Sequence, residues 1–162
     1  MAMNKRSKQE SPRDFKHLAI HVLVEKGFIV FQNIAAKETV DAVVALSKPE
    51  DKRLNLAAIR IKTGSLLKNG WYFSEETAKY SAENSPFFYI FCAEKREQQA
   101  DRLFPECWFI IVTPKQLMLK TSTFKNGNYR FNISEDQLHD PAKIPLWNQH
   151  IDKFEEIAKA LE

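Results

Sequence analysis

Three charged residues interrupt two apolar segments that are predicted to form neighbouring β-strands. Asp41 stands near the start of segment 40–46, and Arg60 and Lys62 stand near the end of segment 54–62. Both segments carry apolar residues on both predicted faces, a pattern typical of central strands that are covered on both sides. A charge in such surroundings has to be paired or used, because burying an isolated charge is costly. The sequence therefore predicts an ion pair or a ligand site here.

A polar turn between the two segments predicts a β-hairpin. If Leu46 pairs with Asn55, Asp41 lies directly opposite Arg60 on the same face of the hairpin, and Lys62 is its diagonal neighbour. A register shifted by one residue would place Asp41 on the other face. The predicted meeting of one acid with two bases thus depends on the register.

The motifs around these residues follow a defined order. They are VEKGF at 24–28, VDAVV at 40–44 and IRIKTG at 59–64, followed by WYFSE at 71–75, FFYIF at 87–91 and PECWFIIV at 105–112. This order resembles that of the PD-(D/E)XK nuclease superfamily, in which a leading helix, a strand, an Asp-bearing strand and a strand ending in Glu-x-Lys succeed one another. The resemblance covers about residues 12–155.

The resemblance implies an α/β domain with a restriction-endonuclease-like core, that is, a mixed central β-sheet flanked by helices. In active members the Asp and the Glu hold a divalent metal ion, and the Lys orients or activates the attacking water. Carried over by position, Asp41 and Lys62 are the candidate catalytic residues, and Arg60 replaces the Glu. A further Glu, which many members carry in the first helix, corresponds to a position near Lys16.

The replacement of the Glu by Arg60 inverts the charge of the predicted site. Two carboxylates and one lysine carry a net charge of −1, whereas Asp41 with Arg60 and Lys62 carries +1. Mg²⁺ binds through carboxylates, substrate phosphates and waters, and an arginine stays charged at any working pH. We therefore expect a nuclease-like protein with an inactive metal site that binds nucleic acid, DNA in preference to RNA. The predicted contact residues are Arg60, Lys62, Thr63, Lys68 and Lys16.

Two alternatives stay open. In the first, the protein is an active Mg²⁺-dependent endonuclease, in which Asp41 and a carboxylate at a new position hold the metal ion. The candidates for that second carboxylate are Asp14, Glu38, Glu75 and Glu76. In the second, Asp41 and Arg60 form only a cross-strand ion pair, worth about 0.2–1 kcal/mol, in a structural or protein-interaction module.

The length and the charge distribution limit these functions further. The 162 residues fit one domain, which we predict at 12–162, after a disordered basic leader at 1–11. Five basic and two acidic residues fall within 1–16, so this segment accounts for the whole net charge of +3. A neutral remainder excludes a broadly basic nucleic-acid binder, but it leaves a local basic site or a basic arm open.

The cysteines and the apolar runs indicate the compartment and the partners. Cys92 and Cys107 are predicted to be free core thiols, as expected in a reducing cytoplasm. No apolar run reaches the ~18 residues that cross a bilayer, so no membrane partner is expected. Nucleases of the resembled fold are often dimers, which leaves a homodimer open, with the C-terminal helix as one seam. His17 and His21 lie off the apolar stripe of the first helix and are expected to face solvent, and their spacing suggests no third metal ligand.

The elements that position these residues follow from hydrophobic periodicity and turn signals. Helices are predicted at 12–26, 74–83 and 114–120, and strands at 28–32, 40–46, 54–62, 71–73, 87–93, 107–113 and 129–133. Apolar residues at helical spacing predict a C-terminal helix, and they are Trp147, Ile151, Phe154, Ala158 and Leu161.

Overall fold

The structure, a computed structural model, describes residues 12–33, 40–46, 54–63, 71–83, 86–94, 107–120, 122–123, 128–131 and 148–162. The predicted leader at 1–11 and the polar turn of the hairpin lie outside these ranges, as do Glu38 and Lys68. Among the residues described, no helix has the length and apolar character needed to cross a membrane.

The first helix, α1, spans Pro12–Glu25 and packs on the sheet through Ala19 and Leu23, which are fully buried. A proline suits the first helical position because the amide hydrogen that it lacks would have no partner there. The helix ends before Gly27, whose φ of 89° lies in the left-handed region that glycine tolerates best. The predicted helix is thus confirmed, one residue shorter at its C-terminal end.

A five-stranded mixed sheet forms the centre of the domain. Its strands are β1 (Phe28–Gln32), β2 (Ala42–Leu46), β3 (Leu56–Thr63), β5 (Phe87–Glu94) and β6 (Cys107–Val112), in the order β1-β2-β3-β5-β6. The pair β3 and β5 is parallel, and the other neighbouring pairs are antiparallel. The parallel pair needs a crossover connection, which contains a helix.

The remaining described elements complete the chain. They are β4 (Trp71–Ser74), α2 (Glu75–Glu83), α3 (Pro114–Lys120), β7 (Ser122–Thr123), β8 (Asn128–Phe131), a 3₁₀ turn at Asn148–His150 and α4 (Glu155–Leu161). Strands β4, β8 and β7 form a second, antiparallel sheet in that order. The side chain of Ser74 caps α2, because its hydroxyl accepts a hydrogen bond from the Thr77 amide at 3.1 Å.

The main sheet carries an apolar cluster on each face. On one face, residues of β2 and β3 such as Val44 and Ile59 pack with α1 and with Ile157 of α4. On the other face, Tyr89 of β5 belongs to a cluster that includes Leu117 of α3. The predicted α/β class, with a mixed sheet flanked by helices, is therefore confirmed. The aromatic run of β5 is core, as the alternation of its side chains between two buried faces requires.

The C-terminal segment departs from the predicted single helix. Ile151, which fits the helical spacing, instead forms a β-bridge with Ile110 of β6. Asp152 then adopts a φ of 54°, so the chain cannot continue as a right-handed helix. Its amide donates to the Phe109 carbonyl at 2.7 Å, and its carboxylate accepts from the Phe109 amide at 3.0 Å. Pairing with the edge of the sheet thus overrides the local helical pattern.

Candidate functional site

The hairpin of β2 and β3 has the register that the sequence predicts. Ala42 pairs with Ile59 and Ala45 pairs with Leu56, the same offset that would pair Leu46 with Asn55. Residues Arg60 and Lys62 therefore lie at the carboxyl end of β3, beside the start of β2.

A local irregularity sets the position of Asp41. The regular ladder ends at Ala42, yet the Asp41 amide also donates to the Ile59 carbonyl, at 2.8 Å. Two consecutive residues of one strand thus lie opposite Ile59, as in a β-bulge, a feature that re-aims side chains next to functional sites. Asp41 is consequently not a regular cross-strand partner of Arg60, although the hairpin geometry predicted one. The two residues meet instead through their side chains.

The Asp41 carboxylate is buried and engaged at both oxygens. Its Oδ1 forms an ion pair and hydrogen bond with the Lys16 ammonium of α1. Its Oδ2 accepts a hydrogen bond from the Ile61 amide at 2.7 Å and lies 3.6 Å from Nε of Arg60. Asp41 as a whole residue is only 8% exposed. The carboxylate therefore connects the first helix to the end of β3.

Hydrogen bonds from the end of β1 hold the backbone beneath this carboxylate. The Asn33 amide donates to the Asp41 carbonyl at 2.9 Å, and the Asn33 side chain donates to the Val40 carbonyl at 3.0 Å. In the register of the hairpin, the Val40 carbonyl would have been the acceptor for the Ile61 amide. The Asp41 side chain takes over that role, so its position is fixed by the backbone and by the charges together.

Lys62 is the cation of this cluster that lacks a direct anionic partner in the described structure. It is half-buried, and it makes neither a hydrogen bond nor an ion pair with any residue inside the described ranges. Burial lowers the pKa of Lys62, the nearby Arg60 charge lowers it further, and Asp41 partly opposes both effects. Holding a half-buried cation beside a second cation lowers the free energy of unfolding. Such an unfavourable arrangement of charges is typical of ligand-binding sites.

The depressed pKa of Lys62 gives a pH-dependent prediction. Replacing Lys62 by Met should raise the free energy of unfolding at pH 7 by roughly 1 kcal/mol, a value already reduced for partial solvent exposure. The gain should shrink as the pH rises from the lowered pKa of Lys62 in the folded protein towards the ordinary value of 10.5. In this range the wild-type lysine is increasingly neutral in the folded state but still charged in the unfolded state, so the cost of burying its charge is lost. Urea unfolding curves between neutral and alkaline pH measure this difference. Equal gains at all pH values would contradict it, and Lys159→Met on the exposed face of α4 is the control.

A second polar group lies next to Arg60 on β5. Tyr89 pairs with Arg60 in the parallel ladder, and its buried hydroxyl lies 3.1 Å from the Ser81 hydroxyl of α2. Ser81 donates in turn to the Thr77 carbonyl at 2.7 Å. Burial raises the pKa of Tyr89, while the hydrogen bond with Ser81 and the Arg60 charge lower it. This hydroxyl pair places two polar groups close to Arg60, among the apolar residues of β5.

The other predicted contact residues have different outcomes. Lys16 is brought into the cluster through its ion pair with Asp41. Thr63 ends β3 and pairs with Cys92 in the ladder, and none of the described contacts of Asp41 involves it. Lys68 lies outside the described residues.

The donor set of the cluster does not fit Mg²⁺. Three cationic side chains surround one carboxylate, whereas Mg²⁺ needs carboxylate oxygens and retained waters. Within the part of the chain that the structure describes, no three or more His, Cys, Asp or Glu side chains form a group able to hold a metal ion. Of the candidate second carboxylates, Glu75 pairs with Lys79 at 2.8 Å and Glu76 is exposed on α2. Glu38 and the side chain of Asp14 lie outside the description.

The remaining candidates from the sequence lie outside the described contacts of the cluster. His17 is exposed, and His21 lies on the surface 3.2 Å from the Glu25 carboxylate, so their predicted exposure is confirmed. Both cysteines are free. Cys92 is buried, and burial raises the pKa of its thiol, which keeps it protonated and unreactive. Cys107 is half-buried, so the prediction of a core thiol holds fully for Cys92 alone.

Comparison with known proteins gives no family for this chain. No protein-family model matches it, and a search of curated proteins finds no relative.

Proposed function

We propose that this protein binds nucleic acid through a phosphate contact built where a nuclease of the PD-(D/E)XK type would hold its metal ion. The observation that carries the proposal is the state of Lys62, a half-buried cation beside Arg60 that no described anion neutralises. Asp41, the nearest carboxylate, is already engaged by Lys16 and by the Ile61 amide. A phosphate would supply the missing negative charge.

The charge of the cluster supports an anionic ligand. Among the described residues, the cluster brings one carboxylate, Asp41, together with the cations of Lys16, Arg60 and Lys62, in a partly desolvated place where electrostatic interactions are stronger than in water. Arg60 presents a planar set of donors that suits phosphate oxygens, and Lys62 adds a compact charge. Asp41 acts as a positioning residue, because it holds Lys16 and Arg60 in place without touching the ligand.

The succession of elements supports the nuclease-like ancestry. A leading helix, a first strand, an Asp-bearing strand and a strand with Arg-x-Lys at its end occur in the order that the resemblance implies, and a helix-containing crossover leads to a parallel neighbour. We propose DNA as the preferred nucleic acid and the cytoplasm as the compartment, where free thiols are stable. No metal-dependent step is assigned, because the donor set does not fit the metal.

The proposal predicts a salt-dependent affinity in which Lys62 takes part. Each phosphate neutralised by a cation contributes about −0.9 to the slope of log K against log salt concentration on duplex DNA. Replacing Lys62 by Gln should therefore weaken binding roughly tenfold and make the slope less steep by about one unit. Fluorescence anisotropy with labelled duplex DNA and single-stranded RNA, at several salt concentrations, measures both quantities.

The matched control is Lys159→Gln, which removes one positive charge from the exposed face of α4, where Lys159 pairs with Glu156. It should leave the affinity and the slope nearly unchanged. If both variants lose affinity equally, the binding reflects overall charge rather than the cluster. If the wild-type protein retains no nucleic acid even at low salt, the proposal fails and the structural interpretation of the Asp41–Arg60 pair replaces it.

A further inference from the structure

Strand β1 forms one edge of the main sheet in the described part of the chain. The Asn33 amide donates to the Asp41 carbonyl, so in the β1–β2 ladder the odd-numbered residues of β1 hydrogen-bond to β2. The backbone groups of the even-numbered residues therefore point away from the sheet. An edge of this kind is a template for pairing with a further strand.

The side chains of β1 do not protect this edge. The strand reads FIVFQ and contains no charge and no proline, which are the usual means of blocking edge pairing. Ile29 is 38% exposed and Phe31 is 53% exposed, and both project from the same face of the strand. A large apolar side chain that is half-exposed beside an unblocked edge indicates a surface that contacts another molecule rather than one that stays in solvent.

The opposite edge of the sheet provides a contrast within the same molecule. Strand β6 is covered by Ile151, which bridges to Ile110, and by Asp152, which makes two hydrogen bonds to the backbone of Phe109. The fold thus covers part of one edge with its own chain. In the described ranges, no corresponding cover lies on β1.

We propose that β1 pairs antiparallel with β1 of a second copy of this chain, so that the two main sheets form one continuous sheet across a two-fold axis. The edge requires a β-strand as its occupant, because a strand supplies the alternating donors and acceptors. A two-fold axis at Val30 aligns the outward backbone groups of both strands, since even-numbered residues then face even-numbered residues. The same axis places Ile29 of each copy directly across from Phe31 of the other.

The identity of the occupant follows from the chemistry of the strand. β1 carries no charged residue that would select a partner of opposite charge, and its apolar pairs are complementary to themselves under two-fold symmetry. Aromatic and branched aliphatic residues paired across antiparallel strands stabilise a sheet. A second copy therefore satisfies the backbone and the side chains together. This interface differs from the C-terminal helix that the sequence offered as a seam.

The test is the mass of the full chain in solution, measured by light scattering and by sedimentation equilibrium. The wild-type protein should be a dimer, and Phe31→Lys should be a monomer over the same concentration range, because it places like charges at the shared edge. Tyr80→Lys is the matched control, since Tyr80 is also about half-exposed but lies on α2. It should remain a dimer. Thermal unfolding of both variants verifies that they are folded.

A second measurement tests the register without relying on loss of binding. Val30→Cys places a thiol on the proposed axis, where the Cα atoms of paired residues lie about 5.5 Å apart, within reach of a disulfide. Mild oxidation should cross-link this variant as a dimer, and Gln32→Cys should cross-link much less. A monomeric wild-type protein overturns the proposal, and so does a dimer that survives Phe31→Lys and does not cross-link at position 30.

Discussion

Replacing Asp41 by Ala is expected to lower the free energy of unfolding by about 3–5 kcal/mol, the usual cost of removing one partner from a buried, charged and hydrogen-bonded group. The substitution leaves the Ile61 amide without its acceptor, and it leaves Lys16 and Arg60 without their shared counter-ion. It also removes the attraction of the Asp41 charge for Lys62, which opposes the effects of burial and of the Arg60 charge. Urea unfolding at neutral pH and moderate salt measures the loss.

Two further variants help to interpret this loss. One separates the hydrogen bond of Asp41 from its charge, and the other is a control on the surface. Asp41→Asn keeps an oxygen that accepts the Ile61 hydrogen bond but removes the charge, so its cost should be smaller, and the difference from Asp41→Ala measures the share of the hydrogen bond. Glu156→Ala removes a carboxylate from the exposed pair with Lys159 and should leave the free energy of unfolding nearly unchanged.

The sign of the Asp41 effect also separates two functions. In a metal site made of two close carboxylates, removing one of them in the absence of the metal relieves repulsion between like charges and tends to stabilise the fold. A gain in stability for Asp41→Ala would therefore show a second carboxylate near position 41 and would contradict the cationic cluster. A large loss fits a carboxylate that serves as the counter-ion of its neighbours.

The part of this site that depends on local sequence was predictable. The hairpin could be inferred because one polar turn joins two apolar segments, but its register stayed a condition of the prediction, since both faces of these strands are apolar and a slip would exchange one apolar face for the other. With the predicted register, Asp41, Arg60 and Lys62 fall at the same end of the hairpin, while the contact between Asp41 and Arg60 is made through their side chains, beside the bulge. The α/β class follows in the same way, from periodicities that change between helical and extended segments.

The contacts that depend on tertiary packing were not predictable in the same way. The Lys16 contact depends on how α1 lies on the sheet, which no spacing within the chain encodes. The position of Tyr89 beside Arg60 depends on the offset of a parallel pair, whose strands are joined by a crossover and not by a turn. The bulge at Asp41 carries no glycine or proline signal. Each of these features requires the assembled sheet.

The C-terminal segment shows how a correct pattern leads to a wrong element. The residues that recur at helical spacing are partly buried as expected, with Phe154 and Leu161 in the core. The backbone nevertheless does not form one helix, because Ile151 and Asp152 pair with the open edge of β6 and the α-helix begins only at Glu155. Periodicity reports which residues face the core, and an edge strand that needs a cover can change the conformation in which they do so.

Replacing Arg60 by Glu should produce the largest change in ligand binding, a loss of nucleic-acid affinity of roughly 100-fold, which corresponds to about 2.7 kcal/mol. The substitution changes the charge of the cluster by two units and places a carboxylate where the phosphate would bind, and like charges at an interface cost several kcal/mol. Anisotropy titrations with the same duplex DNA as for Lys62→Gln measure the loss.

Arg60→Gln is the control that separates the two parts of this effect. It removes the cation without adding a carboxylate, so its loss of affinity should be close to the tenfold loss expected for Lys62→Gln. Thermal unfolding should show that both variants are folded, since Arg60 is partly exposed and its neighbours Asp41 and Tyr89 keep their other hydrogen bonds.

The same variant tests the nuclease-like ancestry through the metal. With Arg60→Glu, two carboxylates flank Lys62, the pattern that the resembled superfamily uses to hold a divalent ion. Calorimetry should then detect Mg²⁺ or Mn²⁺ binding to Arg60→Glu and none to Arg60→Gln, because only the former supplies a second carboxylate. Metal binding with nicking of plasmid DNA by this variant alone would identify the natural protein as a nuclease whose metal site became a phosphate site. Metal binding by the wild-type protein that is lost in Asp41→Ala, together with nicking, would contradict the proposed function and favour an active enzyme.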